Sequence, residues 1–393
     1  MAIRTRMSGN EATAEAIRQI NPDVMPAFPI TPSTEIPQMV STMVANGQID
    51  TEFVPVESEH SSMSAAIGAS AAGARTLTAT SSAGLALMWE VVYVAASSRQ
   101  PIVMAVVNRG LTGPLNINAE HPDSMGARDS GWIQIYGENN QEAYDNMLQA
   151  FRIAEDPKVH LPVMICQDGF ITSHAVENIS LLEDGPVKEF VGSYEPEHYL
   201  LNGEEPMAVG PYAVSAYCME AKKAQAEAMI RSKEVILQVA REFEEISGRG
   251  YGLFEEYQME DAEYAVVAIG SVCGTTKDAI DRLREQGVKA GLVKVRVFRP
   301  FPGEELAEAL KGCKAVAIMD RCESYSAQGG PLGAELMAAM YRARATAETV
   351  NIVYGLSGRD VRVEDMMQVY EDLKGLAEGR KTFEQYPYLG LRE

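Results

Sequence analysis

The feature that most constrains this chain is the regular alternation of short apolar runs with segments of helix-forming composition. Residues 102–107 and 161–166 are apolar throughout, so neither face of such a segment is suited to water. Strands of this kind are typical of parallel sheets that are covered by helices on both faces. The alternation therefore predicts an α/β fold built on a doubly wound parallel sheet.

The length of 393 residues favours two domains. An acidic, proline-punctuated stretch over residues 183–211 interrupts the alternation, and a long helix follows from about residue 215 to 246. A second series of apolar runs begins at residue 264. We therefore expect a first domain over residues 1–240, with a connector helix at its end, and a smaller α/β domain over residues 255–393.

The charge balance argues against several classes of protein. The formal net charge is −21, and no basic patch suited to nucleic acid is visible. No apolar run reaches the length of a membrane span, and a signal-peptide core is absent, which favours the cytoplasm. The five cysteines are scattered without a C-x-x-C pair, which argues against a disulfide framework and against a zinc or iron–sulfur site in this chain.

A turn rich in proline follows the first apolar run. Pro29 and Pro32 flank Thr31, and neither a strand ladder nor a helix can continue through two prolines. Three hydroxyl groups then stand at the carboxyl end of a strand, where open α/β sheets bind ligands. Ser33 or Thr34 is expected to cap the next helix, which leaves Thr31 free.

Glu59 follows the next apolar run and precedes a segment of very small residues. We expect its carboxyl group to be poorly hydrated, and such a group can share a proton with a heterocyclic nitrogen. An alternative is that the carboxylate caps the following helix. Glu57 competes for either role, and the sequence leaves both readings open.

Arg109 ends the apolar run at residues 102–107 and lies at the same predicted sheet edge. Its planar guanidinium suits a carboxylate ligand, although an ion pair with Glu120 or Asp123 is the commoner role for such an arginine. The loop over residues 111–129 is long enough to be functional. Its His121 is either a proton donor or, more commonly for such a residue, exposed to solvent.

No Walker sequence or strand-linked G-x-G-x-x-G is present. Instead, an ordered set of short motifs resembles the α subunit of the 2-oxoacid:ferredoxin oxidoreductases, most closely the pyruvate and 2-oxoisovalerate types. The motifs are Phe28-Pro29-Ile30-Thr31-Pro32-Ser33, Ser58-Glu59-His60, Gly68-Ala69-Ser70-Ala71-Ala72-Gly73, Asn108-Arg109, Gly131-Trp132, Asn139-Asn140-Gln141-Glu142-Ala143 and Arg299-Pro300-Phe301-Pro302.

The resemblance implies a thiamine-diphosphate pyrimidine-binding domain followed by a transketolase C-terminal-like domain. It also implies that Thr31 and Arg109 bind the 2-oxoacid and that Glu59 binds the aminopyrimidine of the cofactor, with Pro29 and Ile30 contributing to the same site. The implied reaction is oxidative decarboxylation, in which coenzyme A takes the acyl group and ferredoxin takes the electrons.

The chain lacks the Gly-Asp-Gly motif that binds magnesium and diphosphate in thiamine enzymes. The resemblance therefore implies a hetero-oligomer, expected as a dimer of such assemblies. A β subunit would hold Mg²⁺ and the diphosphate, and ferredoxin-like γ and δ subunits, or fused equivalents, would hold [4Fe-4S] clusters.

Pyruvate is the first substrate to test. Branched-chain, aryl and 2-oxoglutarate substrates remain open, because pocket shape decides among them. Thr31 argues against oxalate, since oxalate-type relatives carry arginine at that position. A scaffold subunit without catalysis is the alternative from another class, and the presence of Thr31, Glu59 and Arg109 argues against it.

Overall fold

The computed structural model describes residues 3–383 and 385–392. The strands in these ranges are β1 (Ile3–Met7), β2 (Val24–Ala27), β3 (Glu52–Pro55), β4 (Leu77–Thr80), β5 (Val103–Asn108), β6 (Ile133–Tyr136), β7 (Val163–Asp168), β8 (Glu177–Leu181), β9 (Phe254–Tyr257), β10 (Tyr264–Ala268), β11 (Ala290–Val295), β12 (Val297–Arg299), β13 (Ala315–Asp320) and β14 (Glu348–Val353).

The helices over the same ranges alternate with these strands. They are α1 (Gly9–Ile20), α2 (Glu35–Ala45), α3 (Glu59–Ala71), α4 (Ser82–Leu87), α5 (Trp89–Ser97), α6 (Pro122–Gly126), α7 (Asn140–Glu155), α8 (Asp184–Val191), α9 (Cys218–Ser247), α10 (Val272–Glu285), α11 (Gly303–Ala309), α12 (Pro331–Arg342) and α13 (Val363–Ala377). None of them combines the length and apolar composition that a membrane crossing requires, within the described ranges.

The first sheet has the strand order β12-β6-β7-β5-β4, and its β4, β5, β6 and β7 run parallel. The parallel pair β2-β3 extends this layer through a bridge between Val24 and Thr76. All side chains of β5 and β7 are buried. The prediction of a parallel sheet covered on both faces is confirmed here.

The second sheet has the order β14-β13-β10-β11-β9, with an antiparallel strand only at the β9 edge. Strand β12 leaves this unit and pairs antiparallel with β6, Val297 opposite Ile135. The chain after residue 296 therefore adds a strand to the edge of the first sheet. The domain boundaries at residues 240 and 255 stay a prediction.

A cluster of buried and partly exposed charges joins the two sheets. The Lys294 ammonium on β11 contacts the carboxylates of Glu138 (2.8 Å), Glu142 (2.6 Å) and Glu255 (2.5 Å). Lys277 pairs with Glu138 and Glu255, each at 2.9 Å. Burial by itself would lower the pKa of Lys294, but Glu142 and Glu138 hold it above its usual range. Each charge in this cluster thus has a partner of opposite sign.

The starts of α3 and α2 are capped differently. Helix α3 begins at Glu59, because the Ser58 hydroxyl caps it by accepting from the Ser61 N–H at 3.2 Å. The expected hydroxyl cap of α2 is wrong, since the Ser33 hydroxyl donates to the Ile30 carbonyl and Thr34 makes no side-chain cap.

Candidate active site

Glu59 lies in the first turn of α3, directly after the cap residue Ser58, so the reading of Glu59 as the cap itself is wrong. The side chain of Ser62 fixes the position of this turn. Its hydroxyl donates to the Pro26 carbonyl at 2.8 Å and lies 2.8 Å from the Thr78 hydroxyl. The start of α3 is therefore joined to both β2 and β4.

The Glu59 carboxylate is nearly buried, at 6% exposure, and makes no hydrogen bond or ion pair with any residue the structure describes. Gly84 on α4 provides the space beside it, because a Cβ atom there would lie 2.7 Å from Glu59 Oε1 and 2.5 Å from the Thr80 hydroxyl. The Thr80 hydroxyl is also buried and has no hydrogen-bond partner among the residues that the structure describes. Unpaired buried polar groups are costly unless a bound molecule satisfies them.

Glu57 does not compete with Glu59 in the structure. Its side chain is exposed and accepts a short hydrogen bond from the Ser61 hydroxyl. That bond lowers the pKa of Glu57. Only Glu59 is therefore both buried and available.

Arg109 follows the last residue of β5 and is 8% exposed. Its Nε donates to the Asn116 carbonyl at 3.1 Å and its Nη1 to the Thr31 carbonyl at 2.9 Å. No carboxylate of the described ranges lies within ion-pairing distance, and Nη2 finds no acceptor there. The ion pair with Glu120 or Asp123 is therefore wrong, and a cation remains available at this edge.

Thr31 is placed beside Arg109 through its carbonyl group. Its side chain is exposed, and its hydroxyl makes no hydrogen bond within the part of the chain that the structure describes. Pro29 is exposed and Ile30 half-buried in the same turn. The structure thus brings Thr31 and Arg109 together at the carboxyl edge of the first sheet.

Helix α4 connects this pair to Glu59. Gly84 lies against the Glu59 carboxylate, while the Ser82 hydroxyl at the start of the same helix donates to the Gly110 carbonyl at 2.6 Å. Gly110 is the neighbour of Arg109 along the chain. The carboxylate and the cation are therefore held by one short helix and the end of one strand.

The expectation that His121 is exposed is wrong. Its ring is 2% exposed, and Nε2 lies 2.6 Å from Asp168 Oδ1. Asp168 also accepts from Arg321 Nη1 at 3.0 Å and from the Ser271 N–H at 2.9 Å. Burial alone would raise the pKa of Asp168, but Arg321 and His121 hold it well below its usual range. His121 therefore anchors the loop over residues 111–129 to the end of β7, and its backbone N–H, donated to the Arg321 carbonyl at 2.8 Å, joins the loop to the segment that follows β13.

Exposed apolar side chains surround the site. Leu87 (52% exposed) and Trp89 (45%) belong to α4 and α5, and Leu115 (71%) and Ile117 (43%) belong to the loop that contacts Arg109. A concentration of large apolar side chains at a surface is typical of a contact with another molecule.

Comparison with known proteins identifies two family domains in the chain. Residues 15–241 match the family described as pyruvate flavodoxin/ferredoxin oxidoreductase, thiamine diphosphate-binding, and residues 262–366 match the pyruvate:ferredoxin oxidoreductase core domain II.

Curated relatives match the chain over nearly its whole length. It is 50% identical to pyruvate synthase subunit PorA of Thermotoga maritima, covering 99% of this chain and 98% of that one. It is 44% identical to PorA of Methanocaldococcus jannaschii, covering 98% of both chains. It is 42% identical to the ketoisovalerate oxidoreductase subunit VorA of Pyrococcus abyssi, covering 99% of this chain and 98% of that one.

Two solved structures share the fold. One is the 2-oxoglutarate:ferredoxin oxidoreductase from Magnetococcus marinus, with a TM-score of 0.70 at 22% identity, covering 94% of this chain and 65% of that chain. The other is a split-gene transketolase, with a TM-score of 0.54 at 12% identity, covering 95% of this chain and 98% of that chain. The predicted fold class is confirmed, and the chain belongs to the α-type subunits of the 2-oxoacid:ferredoxin oxidoreductase family.

Proposed function

We propose that this chain is the α subunit of a coenzyme A-acylating pyruvate:ferredoxin oxidoreductase. Together with partner subunits it would convert pyruvate reversibly to acetyl-CoA, carbon dioxide and reduced ferredoxin. The observation that supports this proposal most directly concerns Glu59 and Arg109. They are a buried carboxylate and a largely buried cation, and neither has a partner of opposite charge in the described chain. The 50% identity to a pyruvate synthase subunit favours pyruvate.

The residues at the start of α3 fit the aminopyrimidine of thiamine diphosphate. Glu59 offers a carboxylate oxygen that has no hydrogen-bond partner in the described ranges, and the absence of a side chain at Gly84 makes room for this carboxylate. When bound, the cofactor supplies the nucleophilic carbon that adds to the 2-oxo group and accommodates the charge left after decarboxylation. Glu59 would hold a proton shared with a ring nitrogen, and Pro29 and Ile30 would line the same site.

Thr31 and Arg109 would bind the substrate. The planar guanidinium of Arg109 has donors left over after binding two backbone carbonyls, and a carboxylate is the acceptor that matches them best. The Thr31 hydroxyl stands beside it as a donor for a carboxylate or carbonyl oxygen. These groups orient an anionic 2-oxoacid and hold it near Glu59.

The remaining parts of the reaction are assigned to partner subunits. We propose that a β subunit supplies Mg²⁺ and the diphosphate half of the cofactor site, and that ferredoxin-like γ and δ subunits, or fused equivalents, supply [4Fe-4S] clusters. The five cysteines of this chain are free and lie at least nine positions apart in sequence, and four of them are buried. The exposed apolar side chains around the site suit the covering subunit. A cytoplasmic location stays a prediction.

The test uses the native complex, purified through a tag on this chain. Coenzyme A-dependent reduction of viologen is measured with pyruvate, 2-oxoisovalerate, 2-oxoglutarate and phenylglyoxylate, and bound thiamine diphosphate is quantified. We expect pyruvate to give the highest kcat/KM. A complex that lacks thiamine diphosphate would refute the proposal.

2-Oxoisovalerate is the second candidate, because the chain is also 42% identical to a ketoisovalerate oxidoreductase subunit. A higher kcat/KM with 2-oxoisovalerate than with pyruvate would select it. A complex in which joint replacement of Thr31, Glu59 and Arg109 leaves turnover intact would instead identify this chain as a scaffold.

A further inference from the structure

Asp123, the second residue of α6, accepts hydrogen bonds from four N–H groups and is 3% exposed. Its Oδ1 accepts from the Asn108 side-chain amide and the Ser124 backbone, each at 2.8 Å. Its Oδ2 accepts from the backbone of Arg109 at 2.9 Å and of Ser82 at 3.0 Å. No ion pair accounts for this buried carboxylate within the described ranges.

The two bonds to Oδ2 join the halves of the candidate site. One partner is the backbone of Arg109 itself. The other, Ser82, begins the helix whose Gly84 lies against Glu59. One carboxylate oxygen therefore fixes the spacing between the cation and the helix beside the buried carboxylate.

The backbone at Ser82 shows why this contact matters. Its φ is +45°, in the left-handed region that non-glycine residues rarely adopt. Such a conformation persists only where surrounding contacts hold it. Ser82 has two of them, the N–H donated to Asp123 and the hydroxyl donated to Gly110.

All four partners of Asp123 are donors, so the site requires an acceptor at both oxygens. Asparagine has the same shape but presents one amino group. In one orientation of the amide, this amino group would face the N–H groups of Asn108 and Ser124. In the other orientation it would face those of Ser82 and Arg109. Either way two buried N–H groups lose their acceptor, which costs more than the bonds alone.

We propose that Asp123 is a positioning residue for 2-oxoacid binding. Its hydrogen bonds fix the position of the Arg109 backbone relative to α4. The distance between the guanidinium and the Glu59 carboxylate is thereby maintained. The proposal rests on the proposed function, in which Arg109 binds the substrate. The loop over residues 111–129 thereby contributes to the site through its buried end as well as through its exposed part.

The experiment compares Asp123→Asn with wild type in the assembled complex. In each, the KM for pyruvate, the KM for coenzyme A and kcat are measured, together with the midpoint of thermal unfolding. We expect the KM for pyruvate to rise about tenfold and kcat to fall, while the KM for coenzyme A stays within about twofold. A purely structural defect would lower the active fraction and leave both KM values unchanged.

Asp145→Asn is the matched control. Asp145 is a buried aspartate of the first sheet region whose carboxylate accepts from Arg249 and Tyr251, away from Arg109. We expect it to leave the KM for pyruvate unchanged even where it lowers the unfolding midpoint. An equal rise in the KM for pyruvate in both variants would overturn the proposal.

Asn108→Ala decides the matter if Asp123→Asn does not assemble. It keeps the charge of Asp123 but removes one of the two donors that fix Oδ1, so the carboxylate should hold the Arg109 backbone less firmly. A rise in the KM for pyruvate alone supports the proposal, and unchanged KM values overturn it.

If the wild-type complex prefers another 2-oxoacid, the substrate assignment fails, and the same comparison with that acid tests Asp123 independently. A complex that turns over no 2-oxoacid overturns both proposals.

Discussion

Two regions of this molecule differ in whether their buried charges are paired. In the cluster between the sheets, Lys294 contacts three carboxylates and Lys277 contacts two of them. At the carboxyl edge of the first sheet, Glu59 and Arg109 have no partner of opposite charge in the described chain. Desolvation is costly in both places, but only the first region compensates for it internally. The difference distinguishes charges that are paired within the chain from charges that, under the proposed function, bind the cofactor and the substrate.

Arg99 shows that an unpaired cation is not sufficient evidence by itself. Its guanidinium also binds backbone carbonyls, those of His160 and Val159. However, Arg99 precedes β5 whereas Arg109 follows it, so the two lie at opposite ends of one strand. Ligands bind at the carboxyl ends of strands in open α/β sheets, which favours Arg109.

The largest expected effect is that of Glu59→Ala. Removal of the unpaired carboxylate should lower kcat of the assembled complex by about 10³-fold, within the range attributed to acid–base groups. Glu57→Ala is the control, because Glu57 is exposed and bonded to Ser61. Steady-state viologen reduction measures both variants. Wild-type turnover in Glu59→Ala would remove Glu59 from the site.

The second prediction concerns the paired region. Lys294→Met leaves Glu142 buried without a cation and leaves Glu138 with Lys277 alone, and this should lower the free energy of unfolding by about 3 kcal/mol. Denaturant unfolding of the full chain, followed by circular dichroism, measures the change. Lys233→Met is the control, since the pair of Lys233 with Glu305 is partly exposed and should contribute below about 1 kcal/mol. Equal stability of Lys294→Met and wild type would contradict the contrast between the regions.

Arg109→Ala should raise the KM for the 2-oxoacid by about 10- to 100-fold, because a charge-assisted contact with the substrate carboxylate is lost. Initial-rate measurements over a range of pyruvate concentrations provide the test. Arg99→Ala removes a comparable arginine from the other end of β5 and should leave this KM unchanged. If Arg99→Ala raises this KM as much as Arg109→Ala does, the position of Arg109 at the carboxyl edge of the sheet does not explain substrate binding.

The smallest effect is expected for Glu255→Gln. The Glu255 side chain is 43% exposed, so solvent screens its contacts with Lys277 and Lys294. We expect a loss of stability below about 1 kcal/mol and unchanged kinetics. The same denaturant measurement checks this, and a loss as large as that of Lys294→Met would show that the three carboxylates act as one unit.

The sequence by itself determined the parallel sheets and the residues at their edge. Apolar runs such as those that became β5 and β7 have no polar face, and this local pattern suffices to predict buried parallel strands. Thr31 and Arg109 follow from the same logic, because a polar residue directly after such a run must lie at the edge of the sheet. Glu59 follows the next apolar run in the same way, and the resemblance to the family adds the chemistry expected of all three.

The tertiary structure alone decided which charges are paired. Arg109 and Asp123 are fourteen positions apart, and an ion pair was a reasonable expectation, yet only the Arg109 backbone bonds to Asp123. His121 was expected at the surface and is buried against Asp168, while β12 joined the edge of the first sheet. Propensity and periodicity act over a few residues, whereas these contacts join segments that meet only when the sheets have packed.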